Sequence, residues 1–210
     1  MKIHLIKVFV LLALFTTTHV NAEPVVVVSP SAKMLIYIQP IEYTNPIYLW
    51  RPYDGRWVNQ GPLLEASAMA KLSQVYGDVG LCEGNQSGKT LVWLQPRIFY
   101  NPQVEIFYGK VTANVYTGMG NFIASYVGES SLHGYLNFKT EDSVERAYAL
   151  AMDIVLEKMQ ADTALQGMMA NVNPVSTDAT PCSMVTLLPI PKIRVNFELI
   201  RFSERGSVHM

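Results

Sequence analysis

Cys82 and Cys182 form the clearest chemical pair in this sequence. Each lies in turn-rich sequence, at 80–84 and 180–183, which suits a covalent link between two surface loops. In an oxidising compartment an isolated pair of cysteines is bridged more often than free. Closing a loop of about 100 residues stabilises the fold by roughly 4–5 kcal/mol in the chain-entropy account. We therefore predict a Cys82–Cys182 disulfide, against the alternative of two free thiols that lie too far apart to meet.

Candidates for catalysis and metal binding are few. Beyond residue 22 the histidines are His133 and His209, and no segment near His133 resembles a nucleophile elbow. A general base also needs a partner that orients it. Two cysteines and two histidines are too few for a zinc site, and the acidic residues lack the spacing of a calcium loop. The sequence predicts neither cofactor nor metal and indicates a protein that is not an enzyme. A hydrolase is the third hypothesis, which a spatial cluster of His133, a serine and a carboxylate would favour.

The glycine-rich segment 84–90 superficially resembles a phosphate-binding loop. It reads Gly-Asn-Gln-Ser-Gly-Lys-Thr, with three residues between the glycines where a phosphate loop has four. The segment also runs into a predicted strand, whereas a phosphate loop leads into a helix whose first amides bind the phosphate. We interpret it as a mobile turn.

The segment at 46–57 concentrates aromatic residues and arginines. Tryptophan, tyrosine and arginine are the residue types most often found as anchors of protein interfaces. The same residues can stack on a glycan, line a ligand groove, or simply cover the core, because burial is not visible in a sequence. Its prolines and Asp54-Gly55 argue against regular structure. The candidate interaction surface consists of Tyr48, Trp50, Arg51, Tyr53, Arg56 and Trp57.

The amino-terminal sequence is typical of a cleaved signal peptide. Lys2 and Lys7 flank a short apolar core at 8–15, and the residues at 20 and 22 are those that a signal peptidase accepts. A spanning helix needs about 20 apolar residues, which this core does not supply. We expect cleavage after residue 22 and a soluble periplasmic or secreted protein. No cysteine follows the cleavage point, so we expect no lipid anchor.

The charge balance disfavours nucleic acid as a partner. Without Lys2 and Lys7, the count of lysines and arginines falls from 16 to 14 against 17 acidic residues, a formal charge of about −3. A protein that binds a phosphate backbone presents a basic surface. No run of lysine or arginine marks an anionic membrane surface either.

Hydrophobic periodicity predicts an α+β fold in the order β-α-β-β-β-α-β-β. We expect a twisted, mainly antiparallel sheet with two amphipathic helices on one face. An extended lead-in at 23–33 precedes a single domain at 34–203, and residues 204–210 form a disordered tail. The predicted strands are 34–43, 91–100, 104–117, 122–128, 184–188 and 192–203; the helices run from Gly61-Pro62 to Gly77 and from Thr140 to about Gln160.

The long strand 104–117 changes the face on which its apolar residues lie. Val104, Ile106 and Tyr108 share one parity, whereas Val111 and the apolar residues after it have the other. One extra residue restores the alternation, so we predict a β-bulge near Gly109-Lys110.

The segment from about Thr90 to Gln160 resembles small bacterial envelope proteins of the YajG-like kind. The resemblance rests on the strand 91–97, the strand 104–117, the return strand 121–128 and the helix 143–159. It covers about a third of the chain and contains no diagnostic motif. Those proteins are typically lipoproteins, and Ala22-Glu23 stands here in place of their lipidated cysteine. The resemblance implies a non-catalytic envelope role.

These observations lead to two principal hypotheses. The first is a periplasmic accessory or assembly factor that binds another envelope protein through residues 46–57, with the edge strand 192–203 as a second surface that can accept a partner strand. The second is a carrier of a lipid or glycan held between the sheet and the aromatic segment.

Overall fold

A computed structural model describes residues 31–84, 86–170, 182 and 185–188. The predicted leader and its cleavage point, most of the lead-in, the strand 192–203 and the tail 204–210 lie outside these residues.

The main sheet has five strands in the order β4-β1-β5-β6-β7. Strand β1 pairs in parallel with both of its neighbours, whereas β5, β6 and β7 pair antiparallel. The α+β class is confirmed, and the sheet is mixed because the first strand inserts between β4 and β5. The strands are β1 Ser31–Ile38, β4 Val79–Leu81, β5 Ser87–Asn101, β6 Ile106–Thr117 and β7 Phe122–His133.

The described residues also include four α-helices and a separate hairpin. Helices α2 and α3 match the two that the sequence predicts, and Gly77, with φ of 81°, ends α2. Residues 41–43, expected to end the first strand, instead belong to one helical turn at Ile41–Thr44. The helices are α1 Ile41–Thr44, α2 Gln60–Tyr76, α3 Thr140–Ala161 and α4 Thr163–Ala170; the hairpin strands are β2 Ile47–Arg51 and β3 Asp54–Val58.

The main core lies between one face of the sheet and helices α2 and α3. Helix α3 approaches the sheet closely because glycines stand beneath it. A Cβ atom at Gly128 would lie 1.9 Å from the carbonyl oxygen of Ala151, and one at Gly109 would lie 3.1 Å from that of Ala147. Small residues on both elements therefore bring their backbones together. The apolar side chains that fill the core include Met34, Ile36, Leu64, Leu72, Val92, Leu94, Phe107, Val111, Val144, Tyr148 and Val155.

The predicted bulge near Gly109-Lys110 is wrong. Strands β5 and β6 pair in one continuous register, and the irregularity in β6 lies further on, between Val115 and Tyr116 in its pairing with β7. The core-facing parity runs through Phe107, which is fully buried, and continues at Val111. Ile106 and Tyr108 belong to the opposite face throughout.

The opposite face of the sheet carries a smaller core at one end. Trp93 and Tyr116, together with Leu35 and Leu91, pack there against Val185 and Leu188. Residues Val185–Leu187 form a short 3₁₀ helix, so the strand predicted at 184–188 is wrong there. The predicted disulfide joins Cys82 to Cys182 with Cα atoms 5.3 Å apart, and it ties this segment to the end of β4.

Candidate functional site

Residues 47–58 form a regular hairpin, contrary to the expectation from their prolines and Asp54-Gly55. All five residues of β2 pair with β3, from Ile47↔Val58 to Arg51↔Asp54. Pro52 lies in the two-residue turn, where a missing amide removes no bond between the strands. Tyr53 follows it with φ of 67°, a left-handed conformation that a bulky residue rarely adopts. The turn thus places the Tyr53 side chain at the tip of the hairpin.

Alternation along the two strands gives the hairpin two different faces. Leu49 and Val58, which are 3% and 1% exposed, lie on one face and join the main core. Tyr48, Trp50 and Trp57 lie on the other face, which we call the aromatic face. The buried residues attach the hairpin to the domain, whereas the aromatic residues do not take part in that attachment.

The aromatic face lies in solvent. Trp50 is 56% exposed, Trp57 65% and Tyr48 47%, and Tyr53 at the tip is fully exposed. The Tyr48 and Trp57 rings contact each other across the strands, with centroids 4.9 Å apart. The Tyr48 ring also covers Gly55, where a Cβ atom would lie 2.2 Å from the ring. The missing side chain at Gly55 therefore leaves room for the Tyr48 ring to lie against the strand.

The arginines of the candidate surface are both paired with one aspartate. Asp54 accepts hydrogen bonds from Arg51 at 3.0 Å and from Arg56 at 3.1 Å. The backbone amide of Gly55 donates to the same carboxylate at 2.7 Å and, with Arg51, lowers the pKa of Asp54. Two cations and one anion leave the hairpin with a single excess positive charge. All six residues predicted as the interaction surface thus lie within one twelve-residue unit.

A second candidate site is a cavity of about 290 Å³ at the carboxyl end of β1. Its apolar wall comes from Ile36, Ile38, Pro40 and Leu81, and Thr44 and the disulfide residue Cys82 also line it. Two tyrosines and two glutamates form the rest of the lining. These polar residues are Tyr37, Tyr43, Glu65 and Glu83.

Helices α1 and α2 position the polar wall of the cavity. The Tyr43 ring lies against Gly61 of α2, where a Cβ atom would come within 2.8 Å of it. The Tyr43 hydroxyl donates to Glu65 at 2.5 Å. Burial raises the pKa of Tyr43 above its usual range, and the hydrogen bond to Glu65 and the charges of Glu65 and Glu83 raise it further. The hydroxyl therefore stays protonated and the carboxylate stays its acceptor.

Sequence reasoning missed this cavity. Tyr43 and Glu65 are 22 residues apart and belong to different helices. The available signal was Pro40 together with Asn45-Pro46, which bracket residues 41–44 and mark a break after the first strand.

Of the two histidines beyond the predicted leader, His133 is described by the structure and His209 lies outside the described residues. His133 is exposed at the end of β7. Within the described ranges, no three histidine, cysteine or acidic side chains are grouped as a metal site would need. The segment that resembles a phosphate loop enters strand β5 at Ser87, as its sequence predicts.

Comparisons with known proteins leave the family open. No protein-family model matches the chain, and no curated protein matches it. A solved structure of a "putative lipoprotein" from Caulobacter crescentus CB15 is similar over 53% of this chain and 84% of its own, with 17% identity and a TM-score of 0.32. A similarity at this TM-score carries no argument, and none of the comparisons supports the YajG-like kind. In the part of the chain that the structure describes, no helix has the length and apolar character to cross a membrane.

Proposed function

We propose that this chain is an exported, non-catalytic accessory protein of the bacterial cell envelope, and that it binds another envelope protein through the aromatic face. The single observation that carries the proposal is the exposure of Trp50, Trp57 and Tyr48 on one side of an anchored hairpin. Exposed aromatic clusters mark interaction sites more often than single exposed apolar residues do.

The residue types and their arrangement favour a protein partner. Tryptophan, tyrosine and arginine are the residues that dominate binding energy in protein interfaces. Trp50 and Trp57 project from a two-stranded ribbon, so they can enter a pocket on a partner. Arg51 and Arg56 lie on the opposite face of the hairpin, with side chains 40% and 44% exposed, so they can meet a partner only at the edge of such a contact.

The disulfide supports a location outside the cytoplasm. Disulfides persist in oxidising compartments such as the periplasm and are rare in the cytosol. The Cys82–Cys182 bond closes a loop of 100 residues, so it links distant parts of one domain. A location outside the cytoplasm agrees with the signal peptide that the sequence predicts. The negative formal charge is also unfavourable for binding nucleic acid.

The test is site-specific photocrosslinking in the envelope. A photoreactive phenylalanine derivative replaces Tyr53 at the hairpin tip, and the crosslinked product is identified by mass spectrometry. A Trp50→Ala, Trp57→Ala double variant should lose at least about tenfold in crosslink yield, since anchors of this kind cost about 2 kcal/mol or more when truncated. The matched control is Phe138→Ala, an aromatic residue that is 86% exposed outside the hairpin.

The outcomes separate clearly. A defined product that depends on Trp50 and Trp57, forms again from the two purified proteins, and is unaffected by Phe138→Ala supports the proposal. Equal yields from the double variant and the control, with both proteins folded by near-UV circular dichroism, would contradict it.

A further inference from the structure

We propose that the cavity between β1, β4 and helices α1 and α2 binds the ammonium group of an organic cation. The site is separate from the aromatic face and takes a different class of ligand. The tyrosines and glutamates of its lining are Tyr37, Tyr43, Glu65 and Glu83.

The two carboxylates have no ion-pair partner among the residues that the structure describes. The ion pairs among the described residues involve Asp54, Asp153 and Glu129, and none includes Glu65 or Glu83. Tyr43 donates one hydrogen bond to Glu65, which leaves most of the acceptor capacity of that carboxylate unused. Two unneutralised carboxylates beside one cavity attract a positive charge.

The rest of the lining fits the organic part of such a ligand. The Tyr43 ring can receive an ammonium group on its face, which adds a cation–π attraction to the ionic one. Ile36, Ile38 and Leu81 provide apolar surface for the carbon atoms. A cavity of about 290 Å³ is at the small end of ligand sites, so the fitting ligand is a small amine or one amine-bearing group of a larger molecule.

An inorganic cation fits less well. Calcium takes six to eight oxygen ligands, and magnesium demands nearly octahedral geometry. The part of the chain that the structure describes contains no group of three potential ligand side chains. Apolar walls also provide no hydrogen-bond acceptors for the water molecules that a metal ion keeps.

The experiment uses n-butylammonium as the probe and n-butanol as its neutral counterpart. Isothermal titration of the full mature chain should show saturable binding of n-butylammonium and none of n-butanol over the same concentrations. Glu65→Gln and Glu83→Gln should each weaken binding by about fivefold, the upper range for a partly exposed ion pair. The control is Glu141→Gln, which removes one negative charge from the first turn of α3 and should leave binding unchanged.

A geometric variant tests the cavity without altering its charge. Gly61→Ala places a Cβ atom against the Tyr43 ring, which must move, and should weaken binding with Glu65 and Glu83 intact. Equal binding of the alcohol would show an apolar cavity only. Unchanged binding in both glutamine variants would overturn the proposal.

The source of the ammonium group is decided by a vesicle arm. Vesicles of phosphatidylethanolamine that bind the protein and are displaced by n-butylammonium identify a lipid headgroup. Binding of n-butylammonium without vesicle binding identifies a free amine. The Trp50→Ala, Trp57→Ala variant should bind the amine normally, so failure here and failure of the protein-partner proposal are distinguishable.

Discussion

Helix α3 and the hairpin β2–β3 use side-chain size in opposite ways. Under α3 the sheet carries Gly109 and Gly128, and the helix faces them with alanines, so a close backbone contact is made by small residues. The hairpin holds its largest residues, Trp50 and Trp57, in solvent. Large side chains are absent where stability depends on close packing of backbones. They are present where the fold gains little stability from them.

Ala151→Pro should have the largest effect, because it breaks the small-residue side of this comparison. A proline inside α3 removes a helical hydrogen bond and clashes with the preceding turn, at a cost of about 3 kcal/mol or more. The position also faces Gly128, so the helix cannot move to accommodate the ring. We expect loss of folding by circular dichroism. Leu150→Ala, on the exposed side of the same turn, is the control that should fold; a folded, stable Ala151→Pro protein would contradict the packing described for α3.

Leu49→Ala tests how the hairpin is attached. This side chain is 3% exposed and joins the core from the face opposite to the aromatic residues. Truncation of a buried leucine typically costs about 2–5 kcal/mol. We expect faster amide exchange in β2 and β3 while α3 keeps its protection. Equal loss of protection in α3 would show that the hairpin and the body unfold as one unit.

Gly128→Ala adds only a methyl group to the sheet. Because that group would lie 1.9 Å from the Ala151 carbonyl oxygen, the helix must shift, and overpacking of this kind costs about 1–3 kcal/mol. The expected result is a lower midpoint in urea denaturation. Gly77→Ala is not a matched control because its φ is positive, so Ser125→Ala on the exposed side of β7 serves instead. An unchanged midpoint for Gly128→Ala would show that the contact is loose.

Acid should weaken both regions through one aspartate each. In the body, Asp162 accepts a hydrogen bond from Tyr126 at 2.7 Å, which with backbone amides of α4 lowers its pKa; in the hairpin, the Gly55 amide and Arg51 lower that of Asp54. A carboxyl group whose folded pKa is below its unfolded value stabilises the fold above that unfolded value, near 3.8, and loses the contribution as pH falls toward the folded one.

We therefore expect Asp162→Asn to flatten the acid side of the global stability profile. Asp54→Asn should instead change only the exchange of hairpin amides below about pH 4. Hydrogen exchange with mass spectrometry at several pH values distinguishes the two. An unchanged acid profile of global stability in Asp162→Asn would show that this carboxylate does not contribute to the loss of stability in acid.

Trp57→Ala should have the smallest effect on stability. The side chain is 65% exposed, and surface changes of this kind usually stay within about 0.5 kcal/mol. Urea denaturation checks this, with Val58→Ala as the buried neighbour that should be clearly destabilised. A large loss in Trp57→Ala would mean that the aromatic face is part of the core.

Local sequence patterns predicted those helices and strands that are specified by their own residues. Helix α3 follows from its apolar stripe, and β5 to β7 follow from alternation and turn residues. The parallel half of the sheet was missed because β4 contains only Val79–Leu81, too few residues to show a period. The bulge was misplaced because Ile106 and Tyr108 are apolar on the outer face, so their parity suggested a core that Phe107 in fact provides.

The candidate surface was predicted by residue type and missed as a structure. Pro52 and Asp54-Gly55 were interpreted as breaking regular structure. In the structure Pro52 lies in the two-residue turn between the strands, and Asp54-Gly55 begins β3. Trp50 and Trp57 are exposed because the hairpin packs with the Leu49 face against the core. The packing of the core, not the hairpin sequence, determines which face is buried. The cavity depends on contacts between α1 and α2 that no local pattern records.

The disulfide also determines how the domain responds to mechanical tension. A pull applied through β1 at one end and the 182–188 segment at the other passes from β4 directly through the sulfur–sulfur bond. Residues 83–181, about 340 Å of chain if drawn out, are bypassed. While the bond is intact this length of chain cannot be drawn out, and β5 shares the load of β1 through the hydrogen bonds between the two strands. A single covalent shortcut thus makes most of this domain inextensible in an oxidising compartment, and its reduction releases that hidden length.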